Sequence, residues 1–355
     1  MIRGVFPLLL ASSLCGFASA APAAEYWLSG ENEVVGETET ISARYEDTFV
    51  ALSHQYNVGY EALRRANPGV DAWLPGEGTK IVIPNRAVLP RAPHRGIVVN
   101  VAELRLYYFP AVSGPVPEGV DPKAIKVITH PIGVGRLDWK TPLGTTTVTG
   151  KVANPTWTVP QSIRAEHAER GDILPRVVPA GPDNPLGKYA LRLGLPSYMI
   201  HGTNKAVGIG MRVTHGCIRL FPEDIETMYK MVPVGTPVRI VNQPHKLGWG
   251  PGGLYLEAHL TLEQVAEAED GLDEATPQGD AQTLPPEAQA AGEPESLLTA
   301  LTRAYVAATE ERRADVRWDF AEQVMQEARG VPEFVSVSPV VPASESFAAD
   351  PATGR

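Results

Sequence analysis

The sequence predicts a mostly β protein of the α+β class, and the strongest indications come from residues 95–242. Glycine and proline, at 33 residues each, favour turns and strands over a helical bundle. Helices are predicted there only over 161–170 and 223–232, with Ser162 and Pro222 near their starts. β-type runs bounded by turn residues cover 97–101, 105–109, 125–130, 145–152, 189–193 and 238–242. This alternation predicts a mostly antiparallel β architecture with helical insertions.

Residues 1–20 are predicted to be a secretory signal peptide. Arg3 supplies the positive start, the apolar run that follows is too short to span a bilayer, and Ala18-Ser19-Ala20 offers a small-residue cleavage site. Leu14 before Cys15 argues against a lipoprotein signal, which requires a small residue there. No later stretch is apolar enough to cross a membrane. We expect an exported protein without a transmembrane span, with an uncleaved anchor as the alternative.

Charge and cysteine content narrow the function further. A net charge of −10 argues against nucleic acid as a partner, because binding a polyanion requires a basic surface. The chain has two cysteines, and loss of the signal would leave Cys217 without a disulfide partner. Oxidising compartments normally pair their thiols. Packing alone can explain a buried cysteine, but a polar loop that contains glycine favours a nucleophile.

A small first module is predicted at residues 39–85, in the order strand, helix, helix, strand. Residues 41–44 are strand-like, and Asp47-Thr48 begins a helix with apolar residues at helical spacing. Residues 60–66 form the second helix, and 80–83 form the last strand. This order predicts a compact unit that folds around its own core.

The same module resembles a LysM domain. The family binds glycan chains built from N-acetylglucosamine, so the resemblance implies binding to peptidoglycan. Tyr45-Glu46-Asp47 stands where the family usually begins its helix with Pro-Gly-Asp. A small folded spacer is the alternative. The matching residues are Asp47-Thr48, Tyr56-Asn57-Val58, Glu61-Ala62-Leu63, Ala66-Asn67-Pro68, Leu74-Pro75-Gly76 and 81–84.

Residues 255–355 are predicted to be an acidic linker, a helix and a tail, with no chemistry assigned. The stretch 270–295 is rich in Ala, Pro, Gln and Gly, as flexible linkers are. Residues 296–329 are predicted to be helical, and a mostly unstructured tail is expected from 330 onward. The apolar anchors of the helical segment are Leu297, Leu301, Tyr305, Phe320 and Val324.

Two histidines are candidates for activating Cys217. A thiol attacks only as thiolate, and because its free pKa is about 8.5 it needs a base or a positive environment. His215 lies close by in a glycine-containing turn, whose geometry the sequence does not fix. His201 ends the strand-like run 198–200, from where it is expected to face Cys217 across a neighbouring strand. Its other ring nitrogen would then be held by a backbone carbonyl.

Gly216 and Arg219 flank the thiol with complementary chemistry. Gly216 allows close backbone approach, so the amides of Gly216 and Cys217 are expected to point at a developing oxyanion. Arg219 is expected to bind a carboxylate bidentately, with a surface charge as the alternative. No metal site is expected, and His167 with its neighbouring glutamates is interpreted as a solvated helix face.

The thiol motif makes the chain recognisable. His201-Gly202 is followed at a distance by Thr214-His215-Gly216-Cys217-Ile218-Arg219. This combination resembles the L,D-transpeptidase catalytic domain, the YkuD-type fold, over residues 95–242. Further matches lie at 141–144, 181–187 and 208–212, and the last of these resembles the ErfK/YbiS-type periplasmic branch.

The resemblance implies a sandwich-like β fold and a set of roles around Cys217 as nucleophile. His201 maps onto the general base, oriented by the Gly202 carbonyl. His215 maps onto the second histidine of the pattern, near the thiol and the oxyanion site. Arg219 matches the contact to the substrate carboxylate.

Two further substrate contacts are expected near the motif. Thr214 keeps the hydroxyl of the serine that usually precedes the second histidine of the family. Arg212, in the loop between the two histidines, is a candidate for binding anionic stem peptides.

By the same resemblance the expected activity is that of a periplasmic L,D-transpeptidase. Cys217 attacks the carbonyl of the diamino acid at stem position three of peptidoglycan and expels the terminal D-alanine. The thioester then passes to an amine, and no metal or organic cofactor is required. The ErfK-like loop favours the lysine of an outer-membrane lipoprotein as acceptor. Cross-linking of two stems, hydrolysis, and a non-catalytic wall-binding LysM protein are the alternatives.

Overall fold

The protein is mostly β, as the sequence predicts, and is organised around a nine-stranded mixed sheet. This computed structural model describes residues 24–111, 116–273 and 296–337. The predicted signal peptide, residues 274–295 of the predicted linker and residues 338–355 of the predicted tail lie outside the described residues.

The N-terminal module has the predicted order of strand, helix, helix, strand. Its two longer strands pair antiparallel, with Ile41 opposite Ile81. The first helix begins at Thr48, whose hydroxyl accepts a hydrogen bond from the Ala51 amide at 3.1 Å. Its identification as a LysM domain stays a prediction. The elements up to this point are β1 Ala24–Leu28, β2 Val34–Val35, β3 Thr38–Ser42, α1 Phe49–Gln55, α2 Tyr60–Ala66, β4 Lys80–Pro84 and β5 Ala87–Val88.

The large sheet is built from the central part of the chain. The elements of this part of the chain are β6 Gly96–Asn100, β7 Arg105–Phe109, β8 Ile125–Pro131, β9 Val134–Gly135, β10 Gly144–Ala153, β11 Trp157–Thr158, α3 Gln161–Glu169, β12 Val177–Val178, β13 Tyr189–Leu193, β14 Met199–His201, a 3₁₀ turn Ala206–Gly208, β15 Arg212–Thr214, β16 Ile218–Arg219, α4 Pro222–Met231 and β17 Pro237–Val241. The strand order is β1-β8-β7-β6-β17-β10-β13-β14-β16. Most pairs are antiparallel, but β6–β17 and β14–β16 are parallel. Strand β1 was not predicted, and it forms one edge of the sheet beside β8.

Helix α4 covers one face of the sheet. Ile225 and Met228 pack into the main core with sheet residues such as Ile200 and Ile218. Pro222 is the first residue of the helix, as predicted, where its missing N–H costs nothing. The expected capping role of Ser162 in α3 is wrong, because that helix begins after Pro160 and has no side-chain cap.

The C-terminal part of the chain is more ordered than the sequence predicts. Where a linker is expected from residue 255, the structure has a β-hairpin, and the expected single helix over 296–329 is two helices. Phe334, expected in the tail, pairs with Tyr255. The five predicted apolar anchors do pack into one core with the hairpin, because Leu254 and Leu256 alternate toward α6 and α7. The elements are β18 His245–Gly250, β19 Gly253–Ala258, α5 Leu262–Asp273, α6 Leu297–Ala308, α7 Trp318–Glu327 and β20 Glu333–Phe334.

None of the described helices is long and apolar enough to cross a membrane.

A buried charge cluster joins this C-terminal part to the large sheet. Lys246 is 2% exposed, and its Nζ lies 2.5 Å from Glu103 Oε2 and 3.0 Å from Glu257 Oε2. Tyr107 also donates to Glu103, and His259 Nε2 lies 2.6 Å from Glu257 Oε1. Glu103, Glu257 and His259 are close enough to share a cation. Because the Lys246 ammonium already contacts both carboxylates, we interpret the cluster as a structural ion-pair network.

Replacing Lys246 with methionine is expected to destabilise the protein by about 3–5 kcal/mol, because two buried carboxylates lose their counter-charge. Chemical denaturation of Lys246→Met against wild type measures the effect. Lys230→Met is the matched control, since Lys230 forms an exposed pair with Glu226. An equal loss of stability in both variants would contradict the assignment.

Candidate active site

The parallel pairing of β14 with β16 places two of the predicted site residues, His201 and Arg219, on one face of the sheet. Ile200 lies opposite Ile218, and His201 lies opposite Arg219. Both isoleucines point into the core. Because side chains alternate along a strand, His201 and Arg219 point to the other face. Cys217 immediately precedes β16.

His201 is buried, with an exposed fraction of 4%. Its Nδ1 lies 2.6 Å from the Gly202 carbonyl oxygen, the orienting contact that the family resemblance implies. Burial and the nearby Arg219 charge lower the pKa of His201 to about 4, although the carbonyls of Gly202 and Leu186 act in the opposite direction. The imidazole is therefore neutral at physiological pH and can accept a proton at Nε2.

The Cys217 thiol is held beside the start of β14. Its Sγ lies 3.6 Å from the Ser197 carbonyl oxygen. Burial raises the pKa of Cys217, while the Met199 amide and the Arg219 charge partly offset that rise. At rest the Cys217 thiol and the His201 imidazole are consequently both neutral.

Arg219 places a cation close to the thiol. Burial lowers the pKa of its guanidinium, and interaction with Cys217 raises it. Its Nε is buried and has no hydrogen-bond partner among the described residues. A buried donor without an acceptor is costly, so this group is suited to an incoming carboxylate.

The turn before the thiol is closed by Thr214. This buried hydroxyl donates to the Cys217 carbonyl at 2.6 Å and accepts from the Gly216 amide at 3.2 Å. Thr214 and the Gly216 amide thus hold the turn that carries the thiol. Their expected roles toward substrate and oxyanion stay predictions.

Gly216 is required by the conformation of this turn. Its φ is +99°, a region that favours glycine, and a Cβ there would come within 2.7 Å of the Tyr198 ring. Its carbonyl accepts from the Thr141 hydroxyl at 2.9 Å, and the same hydroxyl accepts from the Gly135 amide. The family-like stretch at 141–144 thus fixes the backbone that carries the thiol.

His215 is held by a glutamate that the sequence analysis assigned to a solvated helix face. Its Nε2 lies 2.8 Å from Glu166 Oε2, and its ring packs edge-on against Trp139 with centroids 5.0 Å apart. Glu166 also accepts from Arg136 at 2.9 Å and pairs with Arg170 at 3.0 Å. Burial would raise the pKa of Glu166, but the hydrogen bonds from Arg136 and His215 outweigh it and lower the pKa.

Glu166 was missed because a lone glutamate on an exposed helix carries no motif. His167, considered with it as a metal ligand, instead lies 2.8 Å from Asp172. Trp139 supplies the aromatic ring that packs against His215.

Arg212 faces a cavity beside the N-terminal module, and its predicted contact with an anionic stem peptide stays a prediction. Its Nη2 donates to the Val101 carbonyl at 2.7 Å, and its side chain lines a cavity whose lining does not include Cys217, His201 or His215. The sequence analysis grouped Arg212 with the substrate contacts of the thiol site, and the structure places it on the side of β15 toward the N-terminal module.

The loop before the motif is docked on that module. The amides of Tyr60 and Glu61, in the first turn of α2, donate to the carbonyls of Ile209 and Gly210 at 3.5 and 3.1 Å. Gly210 has a φ of +77°, and any Cβ there would overlap the backbone of Gly59 and Tyr60. The loop between the two histidines is thus fixed from outside the sheet.

The thiol pKa predicts how Cys217 reacts with an alkylating agent. Because burial raises that pKa, the rate of iodoacetamide alkylation should keep rising as pH increases through about 9. Mass spectrometry of Cys217 across pH measures it, with Cys217→Ala correcting for Cys15. A plateau reached below about pH 7 would instead indicate a resting thiolate–imidazolium pair.

Known proteins are similar to this chain in sequence. The family described as the L,D-transpeptidase catalytic domain, YkuD, matches residues 94–240. Probable L,D-transpeptidase YcfS of Escherichia coli K12 is 46% identical over 62% of this chain and 68% of its own length. Probable L,D-transpeptidase YbiS of the same strain is 43% identical over 71% of this chain and 80% of its own length. Probable L,D-transpeptidase ErfK/SrfK, also from that strain, is 42% identical over 70% and 80%. The chain therefore belongs to the YkuD family and is an L,D-transpeptidase that acts on peptidoglycan.

Proposed function

We propose that this L,D-transpeptidase is an exported periplasmic enzyme in which Cys217 forms a thioester with a tetrapeptide stem. The acyl group then passes to an amine, which we assign to a lysine of an outer-membrane lipoprotein. The observation that supports the catalytic part is the β14–β16 register, which sets His201 opposite Arg219, two residues after Cys217.

Proton transfer from Cys217 to His201 starts the reaction. The imidazole is neutral because the pKa of His201 is lowered to about 4, so Nε2 can take the thiol proton. The bond between Nδ1 and the Gly202 carbonyl fixes the ring while it does so. Sγ then attacks the carbonyl carbon of the diamino acid at stem position three, and a tetrahedral oxyanion forms.

Collapse of that intermediate breaks the bond to the terminal D-alanine. The imidazolium of His201 returns its proton to the leaving amine, and a thioester on Cys217 remains. An incoming amine then gives a proton to His201, attacks the thioester and forms a new amide. The thiol is restored, so atoms and charge balance without a cofactor.

The guanidinium of Arg219 is the proposed anchor for a stem carboxylate. Its buried, unpartnered Nε supports this role, because a carboxylate would supply the missing acceptor and a counter-charge. His215 is proposed to lie beside the oxyanion, with Glu166 fixing its orientation through Nε2.

The N-terminal module is proposed to bind the glycan strand as a LysM domain. Tyr45, in the loop between β3 and α1, is 83% exposed. Trp73 and Leu74, between α2 and β4, are 64% and 77% exposed. Exposed aromatic faces suit carbohydrate rings, and large apolar side chains on a surface often mark a binding site.

Incubation with tetrapeptide-containing muropeptides tests the catalytic proposal. Wild type should release D-alanine, and Cys217→Ala should release none, because no thioester can form. His201→Ala should abolish acylation by a carbapenem, measured as an intact-mass adduct. Equal acylation of His201→Ala and wild type would reject His201 as base, and muropeptide binding without release would support a non-catalytic wall-binding protein.

Replacing Arg219 with alanine should chiefly raise KM, by roughly 10–100-fold, because a charged hydrogen bond contributes about 1.5–3 kcal/mol. Steady-state D-alanine release measures kcat and KM separately. An unchanged KM would remove Arg219 from the substrate contacts.

Glu166→Gln is expected to lower the rate of D-alanine release by roughly 10-fold, since His215 loses a charged acceptor. Glu169→Gln on the same helix is the matched control, because Glu169 is exposed. Equal rates for Glu166→Gln and wild type would show that the Glu166 contact does not support turnover.

Product masses distinguish the acceptors. A peptide ending in lysine should give a stem–lysine adduct if a lipoprotein is the acceptor. A stem dimer would indicate cross-linking, and a free tripeptide stem would indicate hydrolysis.

A further inference from the structure

A cavity of about 470 Å³ lies where the three parts of the chain meet. Helix α2 of the N-terminal module forms one wall and the turn between β6 and β7 forms another. The rest comes from β15 and from the segments that follow β19 and α7. The volume falls in the range of small-molecule binding sites.

Arginines dominate the charged lining of this cavity, although the chain as a whole carries a net charge of −10. Its two glutamates are already matched by cations. Glu61 pairs with Arg64 at 3.2 Å, and Glu103 pairs with the buried Lys246 at 2.5 Å. Arg65 and Arg329 add positive charge to the same lining.

Within the described parts of the chain, neither Arg65 nor Arg329 forms an ion pair. Arg329 donates one N–H to the Ala66 carbonyl at 2.8 Å, at the C-terminal end of α2, but its buried Nε has no hydrogen-bond partner. Burial lowers the pKa of Arg65 although the Glu61 charge acts in the opposite direction, so a further anion would stabilise its charged form. Two half-buried guanidiniums from different parts of the fold therefore face one cavity, and neither has an ion-pair partner among the described residues.

Apart from His259, whose ring is already paired with Glu257, the remaining lining is apolar. It includes Ala62, Leu104, Val213, Leu260, Val265 and Ala268. A free phosphate would satisfy the arginines but not these side chains. A short acidic peptide with small side chains would satisfy both.

The cavity is connected to the catalytic loop by a short strand. Arg212, on its wall, opens β15, and Cys217 lies five residues farther along the chain. That length spans at most about 18 Å. A polymer whose reacting stem is at Cys217 can therefore place another acidic segment here.

We propose that this cavity binds a short acidic peptide segment, with Arg65 and Arg329 holding its carboxylates. The ligand class is that of the non-reacting part of a peptidoglycan stem, and in this respect the inference rests on the proposed function. Because the walls come from all three parts of the chain, a bound peptide bridges them and stabilises their packing.

The dipeptide L-alanyl-D-glutamate is the probe, since it lacks the diamino acid that reacts at Cys217. Isothermal titration calorimetry on the full chain should show saturable binding to wild type. Arg65→Gln and Arg329→Gln should each weaken it by roughly 10-fold or more. Arg313→Gln is the matched control, because Arg313 is exposed and outside the cavity, and its affinity should equal that of wild type.

Two further probes identify the source of the anion. L-Alanyl-D-glutamine amide, which has no carboxylate, should not bind. Inorganic phosphate should bind more weakly than the dipeptide, and phosphate binding without dipeptide binding would overturn the peptide assignment. Equal binding of the amide, or unchanged binding in both arginine variants, would overturn the site itself.

A cavity-filling variant guards against loss of folding in the arginine variants. Ala62→Leu removes no charge, and it should abolish dipeptide binding while thermal unfolding reports an intact chain. Full dipeptide affinity in Ala62→Leu would overturn the proposal. Carbapenem acylation of wild-type Cys217 is a separate readout, so its failure would reject the proposed function independently of the dipeptide result.

Discussion

The parallel pairing of two short strands, β14 and β16, is the constraint on which the site depends. Its register sets His201 opposite Arg219 and sends Ile200 and Ile218 into the core. One apolar pair thereby anchors a polar pair on the opposite face. A slip by one residue would bury the imidazole side of the strand and expose the core side. Catalytic geometry and core packing are thus enforced by the same hydrogen bonds.

Several side chains outside that pair fix the backbone and the histidine next to the thiol. Thr214 closes the turn, and Thr141 holds Gly216 from below. Glu166 fixes His215 from α3. Thr214 and Thr141 therefore fix the backbone of the turn that carries the thiol. Such contacts can hold the neutral thiol in place without the attraction of an ion pair.

Local signals predicted the fold well where turn residues bound a strand, as at β7 and β13, whose limits match the predicted runs. Local signals failed where pairing depends on distant residues. Phe334 belongs to a two-residue strand that exists only because Tyr255 lies beside it. In the site, the Cys217 motif was readable because its residue types are chemically unusual and close together. Glu166 was not readable, since its role arises only when α3 packs over the turn.

The contact between Gly59 and Gly210 has a mechanical consequence. Helix α2 gives its first amides to the catalytic loop, and a Cβ on Gly210 would overlap the backbone of Gly59. No hinge separates the N-terminal module from the loop at this point. A sugar chain bound by the outer loops of that module would lie at a constant distance from the Cys217 sulfur. The fold itself would then set the spacing along the polymer between the bound sugars and the reacting stem.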